Sequence, residues 1–404
     1  MRRTILWGAS GVVAVLIAIA VPSLPPRVGD GPEGGVRIVR DAGELFLYYS
    51  RAAWVADHTL PYRDVFVEYP QGAALWLAWP RILTDSFESY QRILVAAHLL
   101  LLVFLAFVTD HLLAYLQRDR RLVWLYALPA AVYFAAYRFD ALPAVLVLCA
   151  VWLLLARRWT WSILFLIFAS YVKWYPLVLL PLAWHWMRWE GAPVKTVVRS
   201  FASALSVGIA AFLGSWLLIG PAIADPYRLH LAGRTFESGA IYYLFTYFGV
   251  DQPTFLTLVR SLLLIFQGIG AAAWTVAGRW LRSTIRTRDA FLSWSALLVA
   301  GFMLFAKFYS PQWHLWVLPL FLLLPLRRTD IILLVCHDLV SFVEFPVIFD
   351  ALGPETAAYQ AISVLRTVIL IILMVRIVVS LRSQVHASVV TPGSTPPLLS
   401  ERPR

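Results

Sequence analysis

Two acidic segments near the start of the chain hold residues that could move a proton. The first is VRDAGELFLYYSRAAW, and a helix beginning at its aspartate would place four side chains on one face: Asp41, Glu44, Tyr48 and Arg51. A carboxylate on this face could act as a general base. Asp41 could instead be the helix N-cap, with Glu44 reaching back as in a capping box. The residues alone leave both interpretations open.

The second acidic segment is LPYRDVFVEYPQG (60–72). Asp64 and Glu68 stand among aromatic residues, including Tyr69, just before a predicted helix. These carboxylates could serve the same chemistry as those of the first segment. They could also cap the helix, with the tyrosines anchoring the chain at a membrane interface.

Cationic residues follow at the ends of later predicted helices. YRFDALPAVL contains Arg138 and Asp140, and SYVKWYPLVLLP contains Lys173. A helix N-cap is the ordinary interpretation of Asp140, and a side chain that snorkels to the membrane surface is the ordinary interpretation of Lys173. Cations of this kind could also bind a phosphate carried on a lipid.

Two more polar segments complete the set. LAGRTFESGAIYY places Arg234 and Glu237 three residues apart, either as a surface ion pair or as part of a binding site. KFYSPQWHLWVLP begins with Lys307 and predicts a helix that starts at Ser310. His314 lies one turn inside that helix, where it is either a structural residue or a ligand of the same phosphate.

The elements that must position these residues are membrane-spanning helices. The chain has 404 residues, of which 60% are hydrophobic and only 14% charged, against about 25% charged residues in soluble domains. Long apolar runs recur without the alternation of barrel strands. An all-α, polytopic transmembrane protein of about 12 spans is therefore predicted. The predicted spans are 5–22, 91–117, 122–137, 141–156, 160–172, 175–188, 198–220, 254–278, 289–306, 311–326, 329–346 and 358–381.

Charge in the connections predicts the orientation of these spans. Arginine is concentrated in alternate connections, such as 118–121 and 279–288, whereas the short connections between them carry few cations. The positive-inside rule then places both termini in the cytoplasm. The ionisable residues described above come to lie on the outer face of the plasma membrane.

Residues 1–382 are predicted to form one transmembrane domain, followed by a disordered cytoplasmic tail at 383–404 that is rich in Ser, Thr and Pro. The first apolar run resembles a signal peptide, although an uncleaved first helix is expected. The first outer connection, 23–90, is long, and its segments 44–56 and 71–83 are predicted to be interfacial helices. The alternative is that 66–83 crosses the membrane.

Several function classes are disfavoured. The excess of positive charge is not arranged as a basic stripe with interleaved aromatics, so no nucleic-acid partner is expected. Cys149 and Cys336 lie in apolar runs and predict no disulfide or metal framework. The chain also lacks an Asp-x-Asp motif, which argues against a metal-dependent nucleotide-sugar transferase. Neither a metal nor another cofactor is expected.

Five segments taken together carry a resemblance to a known family. They are ELFLYYSRAAWVADHTLPYRDVFVEYPQG, YRFDALPAVLVL, VKWYPLVLLPL, GRTFES and FYSPQWHLWVLPL, in this order across residues 41–320. The chain resembles the GT-C superfamily of integral membrane glycosyltransferases, and in particular the bacterial polyprenyl-phosphate-mannose-dependent mannosyltransferases. The resemblance implies a GT-C-like fold with interfacial helices in the long first outer loop.

The resemblance also implies an acidic catalytic residue in that loop. Glu44 stands where the family usually has Asp, in step with Tyr48 and Pro61. This departure from the family pattern leaves Asp41 as a rival for the base. Glu68 matches the second acidic position of the family.

Further roles follow from the same resemblance. The implied donor-phosphate contacts are Lys173, Arg234, Arg138, Lys307 and His314. The implied substrate-binding residues are Tyr48, Asp64, Tyr69, Glu237 and Gln312.

The expected activity is inverting transfer of a single sugar, with mannose as the expected sugar. The donor would be a polyprenyl-phosphate sugar and the acceptor a hydroxyl of a glycolipid or glycan, with membrane lipid as the surroundings. The leaving phosphate would need preorganised cations where its charge develops. Two alternatives remain: a lipid-linked glycan polymerase or ligase, and a lipid-sugar transporter or flippase.

Overall fold

The structure is a computed structural model of the chain. It describes residues 28–30, 36–38, 42–230, 239–240, 287–304, 306 and 308–390. This part of the chain is helical, apart from an antiparallel hairpin of β1, Val28–Asp30, and β2, Val36–Ile38. The predicted helical class is confirmed for the described residues, and the hairpin is an addition that the sequence analysis did not predict.

The segment predicted as the first outer loop contains helices at the two predicted places. α1 spans Ala42–Arg51, α2 spans Ala53–Ala56, and α3 spans Gln71–Ala78 with a 3-10 turn at Trp79–Ile82. A transmembrane helix needs about 20 residues. α3 is much shorter, and 66–83 is not among the candidate spans of the described residues.

The helical bundle begins after this loop. Its first half consists of α4 at Phe87–Tyr115, a 3-10 helix at Arg120–Ala127, α5 at Pro129–Tyr137, α6 at Ala141–Leu155, α7 at Trp159–Val172, a 3-10 helix at Tyr175–Leu179, α8 at Leu180–Trp189 and α9 at Val194–Ile219. A 3-10 turn at Pro221–Ala224 and α10 at Asp225–Arg228 follow.

The second half consists of α11 at Arg288–Leu304, a 3-10 turn at Pro311–Trp313, α12 at His314–Leu322, α13 at Arg328–Phe342, a π-helical turn at Val343–Ile348, α14 at Phe349–Leu352 and α15 at Ala357–Val390. α15 continues past the predicted boundary at 382. Residues 391–404 of the predicted tail lie outside the described residues.

Prolines divide two predicted spans into a 3-10 helix followed by an α-helix. Pro129 begins α5 within the predicted span 122–137, and Pro181 lies in the first turn of α8 within 175–188. Proline lacks the N–H that a continuous helix needs, but it fits the first turn of a new one. The two spans are consequently shorter in pure α-helix than predicted.

Among the described residues, four helical stretches are long and apolar enough to cross a membrane: Phe87–Tyr115, Val194–Ile219, Arg328–Leu352 and Ala357–Ser383. α5 and α6 would add a fifth if the pair, bent by 108°, is counted as one span. These lengths support a membrane protein and do not confirm the predicted number of about 12 spans. The predicted spans 5–22 and 254–278 lie outside the described residues.

Ionic groups gather at opposite ends of the bundle. At one end, which we call the Arg118 end, Arg118 follows α4 and lies 2.6 Å from Asp289 at the start of α11. At the other, which we call the Lys173 end, Lys173 follows α7 and lies 3.2 Å from Asp140, which precedes α6. α6 runs from the Lys173 end towards Arg157, and α7 returns. The predicted site residues Glu44, Arg138 and Lys173 lie at the Lys173 end.

Candidate functional site

Glu44 and Arg138 form the first ionic contact of the site. α1 packs through Leu45 and Tyr48, which are buried in one cluster with Tyr90 of α4. The helix thereby presents Glu44 at its edge, with the carboxylate 3.7 Å from Arg138 Nη1 at the end of α5. The side chain of Glu44 is 36% exposed, whereas that of Arg138 is 5% exposed. A carboxylate that can be reached from outside therefore stands against a buried guanidinium.

An aromatic cluster fills the space beside this contact. The ring of Tyr48 lies 5.7 Å from that of Tyr69 and 5.8 Å from that of Phe139, and the last two rings are 5.2 Å apart. All three pairs meet edge to face, the preferred geometry of aromatic pairs. Desolvation and the nearby Tyr48 and Glu44 raise the pKa of Tyr69 well above its usual value. Its phenol is therefore neutral and able to donate a hydrogen bond.

Asp140 is the centre of the second ionic contact. Its Oδ1 lies 3.2 Å from Lys173 Nζ and accepts a hydrogen bond from Trp316 Nε1–H at 2.8 Å. Asp140 occupies the predicted N-cap position of α6, but its side chain makes no capping hydrogen bond there. Its Oδ2 is buried and has no hydrogen-bond partner among the described residues. A buried carboxylate oxygen without a partner is costly unless another group donates to it.

Lys173 lies in an enclosed environment rather than extended to the surface. The chain leaves α7 at this residue in an extended conformation, with φ −150° and ψ 147°. Its Nζ lies 4.6 Å from the ring centroid of Phe139 and 5.4 Å from that of Trp316. The ring faces and the Asp140 carboxylate both stabilise a cation here. An ammonium has three N–H donors, so this one can also contact an anion from outside.

Phe139 connects the two ionic contacts. It lies between Arg138 and Asp140 in the sequence, and its ring meets both Tyr48 and the ammonium of Lys173. The structure therefore brings together the predicted residues Glu44, Tyr48, Tyr69, Arg138 and Lys173. Asp140 joins them, although the sequence analysis did not include it among the site residues.

The two predicted acidic residues of the loop 60–72 have different surroundings. Glu68 lies 3.5 Å from Arg51 Nη2 at the end of α1, which ties the loop to the helix that carries Glu44. Asp64 pairs with its neighbour Arg63 at 2.9 Å and accepts the Leu60 N–H. The Arg63 hydrogen bond and this backbone bond lower the pKa of Asp64. Asp64 stabilises its own turn and has no described contact with the Glu44 or Lys173 groups.

The segment after α9 covers this loop. Tyr227 donates a hydrogen bond to Gln71 Oε1 at 2.7 Å and stacks on Trp174 at 5.3 Å. His230 Nε2 lies 3.1 Å from the carbonyl oxygen of Glu68. Neither Tyr227 nor His230 was predicted as a site residue. For His230, the one signal in the sequence is its position four residues before the arginine of GRTFES.

Four predicted residues lie outside the described part of the chain. They are Asp41, Arg234, Glu237 and Lys307. His230, four residues before Arg234 in the sequence, contacts the carbonyl oxygen of Glu68. Phe308, next to Lys307, has its ring 5.9 Å from the ring of His230. The described neighbours His230 and Phe308 thus lie together beside the loop that carries Glu68.

His314 and Gln312 lie at the start of α12. Gln312 contacts Ser310, whose side chain makes no capping bond. His314 is fully buried, with Nδ1 2.9 Å from His337 Nδ1 and Nε2 3.1 Å from Asp338 Oδ2. Both ring nitrogens thus face protein groups. This arrangement fits the structural interpretation of His314 that the sequence left open.

A buried polar network holds the segment that precedes α12. Asp338 accepts hydrogen bonds from the backbone N–H groups of Ala130 and Ala131, both at 3.0 Å, at the start of α5. Arg366 donates to the carbonyl of Tyr309 at 2.7 Å and places its Nε 2.7 Å from Glu344. Buried charges of this kind need such partners to be tolerated. The sequence analysis did not predict these contacts, because their partners lie far apart along the chain.

Comparison with known protein families and with curated proteins gave no match to this chain. The fold and the site therefore define its class by themselves. The chain is a helical protein with membrane-spanning candidates and with two carboxylates, two cations and aromatic rings gathered at one end of its bundle. Among the described residues, no group of three or more His, Cys, Asp or Glu side chains could hold a metal ion.

Proposed function

We propose that this chain is an inverting membrane glycosyltransferase. It moves one sugar, with mannose expected, from a polyprenyl-phosphate donor to a hydroxyl of a glycolipid or glycan. The observation that carries this proposal is the meeting of Glu44, Arg138 and Lys173 around Phe139. A reachable carboxylate beside enclosed cations suits proton removal at one side and phosphate binding at the other.

The reaction is a single displacement. The acceptor hydroxyl gives its proton to a carboxylate, and its oxygen forms the new bond to the anomeric carbon. The bond from that carbon to the phosphate oxygen breaks, and its electron pair leaves with the lipid phosphate. Cations placed beforehand stabilise the charge that develops there. One displacement inverts the anomeric configuration and needs no carboxylate nucleophile.

The residues divide into roles in this proposal. Glu44 is the first candidate for the base, and Asp41 stays its rival. Lys173 and Arg138 bind the donor phosphate, since Lys173 lies over Phe139 and Arg138 contacts Glu44. The Oδ2 of Asp140, which has no hydrogen-bond partner among the described residues, accepts a hydrogen bond from a hydroxyl of the bound sugar.

Further predicted residues keep the roles that the resemblance implies. Arg234 and Lys307 bind the same phosphate, and Glu68 is the second acidic residue of the catalytic group. Tyr69, Gln312 and Glu237 line the substrate path. His314 is the exception. It is a positioning residue and does not contact the phosphate, because its two ring nitrogens contact His337 and Asp338.

The membrane arrangement belongs to the same proposal. The described helical segments run alternately between the Arg118 and Lys173 ends, as α6 and α7 show. Short segments can cross when neighbouring helices shelter them. We therefore retain about 12 spans in a GT-C-like fold, with both termini cytoplasmic and the Lys173 end facing outward from the plasma membrane.

The test is sugar transfer by purified protein in detergent. Synthetic polyprenyl-phosphate mannose and a pentose analogue serve as labelled donors, and the total glycolipid fraction of bacterial membranes serves as acceptor. Glu44→Gln should lower the rate about 10²–10⁴-fold, the usual contribution of a general base. Glu88→Gln is the matched control, because Glu88 lies near the start of α4 and forms an exposed pair with Arg92.

The outcomes separate the competing functions. Full activity in Glu44→Gln, in Asp41→Asn and in the double variant would remove the assigned base. Transfer of a preassembled oligosaccharide would identify a polymerase or ligase. Movement of the lipid-linked sugar across sealed vesicles without any product in detergent would identify a transporter.

A further inference from the structure

A separate cavity lies at the Arg118 end of the bundle, away from the proposed site. It has a volume of about 230 Å³ and lies between the end of α12, the start of α13 and α15. Arg376 lines it, ten residues after Arg366 on α15. Ten residues of α-helix span about 15 Å, so Arg376 lies about 15 Å along α15 from Arg366. Arg366 contacts Tyr309 near the proposed site, and the cavity is therefore separate from that site. We propose that this cavity binds the headgroup of an anionic phospholipid.

The charges at the cavity favour an anion. Arg327 and Arg376 line it together with one carboxylate, that of Asp330. Asp330 pairs with Arg376 and accepts the backbone N–H of Arg327 at 2.7 Å. The exposed guanidinium of Arg327 has no ion-pair partner among the described residues. Two guanidinium groups against one carboxylate leave a net charge of +1 for a phosphate to neutralise.

Hydroxyl groups add donors for the phosphate oxygens. Ser293 of α11 and Ser380 of α15 line the same cavity. A hydroxyl can donate to an anionic oxygen while it accepts from another group. Charge-assisted hydrogen bonds of this kind are stronger than neutral ones. The wall thus offers both the charge and the hydrogen bonds that a phosphodiester needs.

The remaining lining favours a lipid over a free phosphate. The cavity also has apolar walls, including Phe321, Leu324 and Leu373, all buried. Val375 and Val379 line its edge and are 55% and 57% exposed on α15, one of the four candidate spans. An exposed apolar helix face is where acyl chains lie in a membrane, and basic pockets between such helices bind anionic headgroups. The cavity and this face together match an amphipathic anion. This inference does not depend on the proposed sugar transfer.

The test measures the thermal stability of the purified full chain against added lipid. Phosphatidylglycerol should raise the melting temperature more than phosphatidylcholine with the same acyl chains, because a ligand that binds only the folded state stabilises it. Each arginine near an anionic lipid surface contributes about 1 kcal/mol, which corresponds to about fivefold in affinity. Arg327→Gln and Arg376→Gln should therefore each raise, about fivefold, the phosphatidylglycerol concentration that gives a set rise in melting temperature.

Controls keep the result interpretable. Arg199→Gln removes an equivalent charge from an exposed position on α9 outside the cavity, and it should leave the lipid effect unchanged. Arg327→Gln keeps the Arg376–Asp330 pair, so it tests the site without breaking that contact. Inorganic phosphate at matched concentration should stabilise far less than the lipid.

Three outcomes would overturn the inference. The first is equal stabilisation by phosphatidylglycerol and phosphatidylcholine in the wild-type protein. The second is an unchanged phosphatidylglycerol effect in the Arg327→Gln/Arg376→Gln double variant. The third is an inorganic phosphate effect as large as that of the lipid, which would identify a simple anion site.

Discussion

The Asp140–Lys173 pair gives the sharpest prediction, because its two partners are buried to different extents. The side chain of Asp140 is 1% exposed and that of Lys173 is 19% exposed. Removing one partner of a buried ion pair costs about 3–5 kcal/mol, since the other charge stays without compensation. The cost should therefore depend on which partner remains.

Lys173→Met leaves the carboxylate, and Asp140→Asn leaves the ammonium. We expect Lys173→Met to lower the free energy of unfolding by about 4 kcal/mol, near the middle of the range for buried pairs. Asp140→Asn should cost only about 2 kcal/mol, because two ring faces still stabilise the cation. Its amide oxygen can also still accept from Trp316, as the carboxylate does.

The double variant separates pairing from packing. Residues in contact show coupling of about 0.5–3 kcal/mol, so the double variant should cost clearly less than the two single variants together. The assay is reversible unfolding in detergent, followed by circular dichroism. Lys195→Met is the matched control, since Lys195 is exposed on α9 and its loss should stay within about 0.5 kcal/mol. Equal costs of the two single variants, or a strictly additive double variant, would refute this account of the pair.

Three further predictions concern positions outside the catalytic groups. Gly72→Ala should lower stability by about 1–3 kcal/mol, because the new Cβ would lie 2.9 Å from the backbone of Tyr171, whereas Gly214→Ala meets open space and should be nearly neutral in the same unfolding assay. Asp338→Ala should cost about 3 kcal/mol or more, since two buried N–H groups at the start of α5 lose their acceptor; a loss below 1 kcal/mol in that assay would contradict the assigned contacts. The pKa of Asp64 is lowered by its neighbouring arginine, so its charge stabilises the turn above the usual aspartate pKa, and this gain is lost as the pH falls through the lowered value. Melting curves of wild type and Asp64→Asn should accordingly differ at neutral pH and converge in acid, and a difference that grows in acid would contradict that sign.

The helical class and most helix positions could be predicted from the sequence, because they depend on local properties. The predicted spans 91–117 and 198–220 correspond to Phe87–Tyr115 and Val194–Ile219, with ends that differ by at most four residues. Helices are predicted from apolar content and turn residues over short windows of sequence, so tertiary contacts hardly affect the prediction. The breaks at Pro129 and Pro181 were missed, although their cause is also local.

The gathering of the site at one end could also be inferred from the sequence. Lys173 follows one predicted span and Arg138 precedes another, so alternation of spans alone places both cations on the same side. The structure agrees for the described residues, since Arg138 contacts Glu44 on the helix that packs Tyr48 against Phe139, and Lys173 lies over Phe139. The sequence could not give the distances within this group.

Only the tertiary structure decided which side chains meet. Asp140 was interpreted as a helix cap, but it contacts Trp316, which lies 176 residues further along the chain. Asp338 binds the start of α5 from more than 200 residues away. A helix cap depends on residues three or four positions apart, whereas these contacts depend on how whole helices pack. Local sequence therefore determined the helices and the side on which charges gather, and packing decided the partner of each charge.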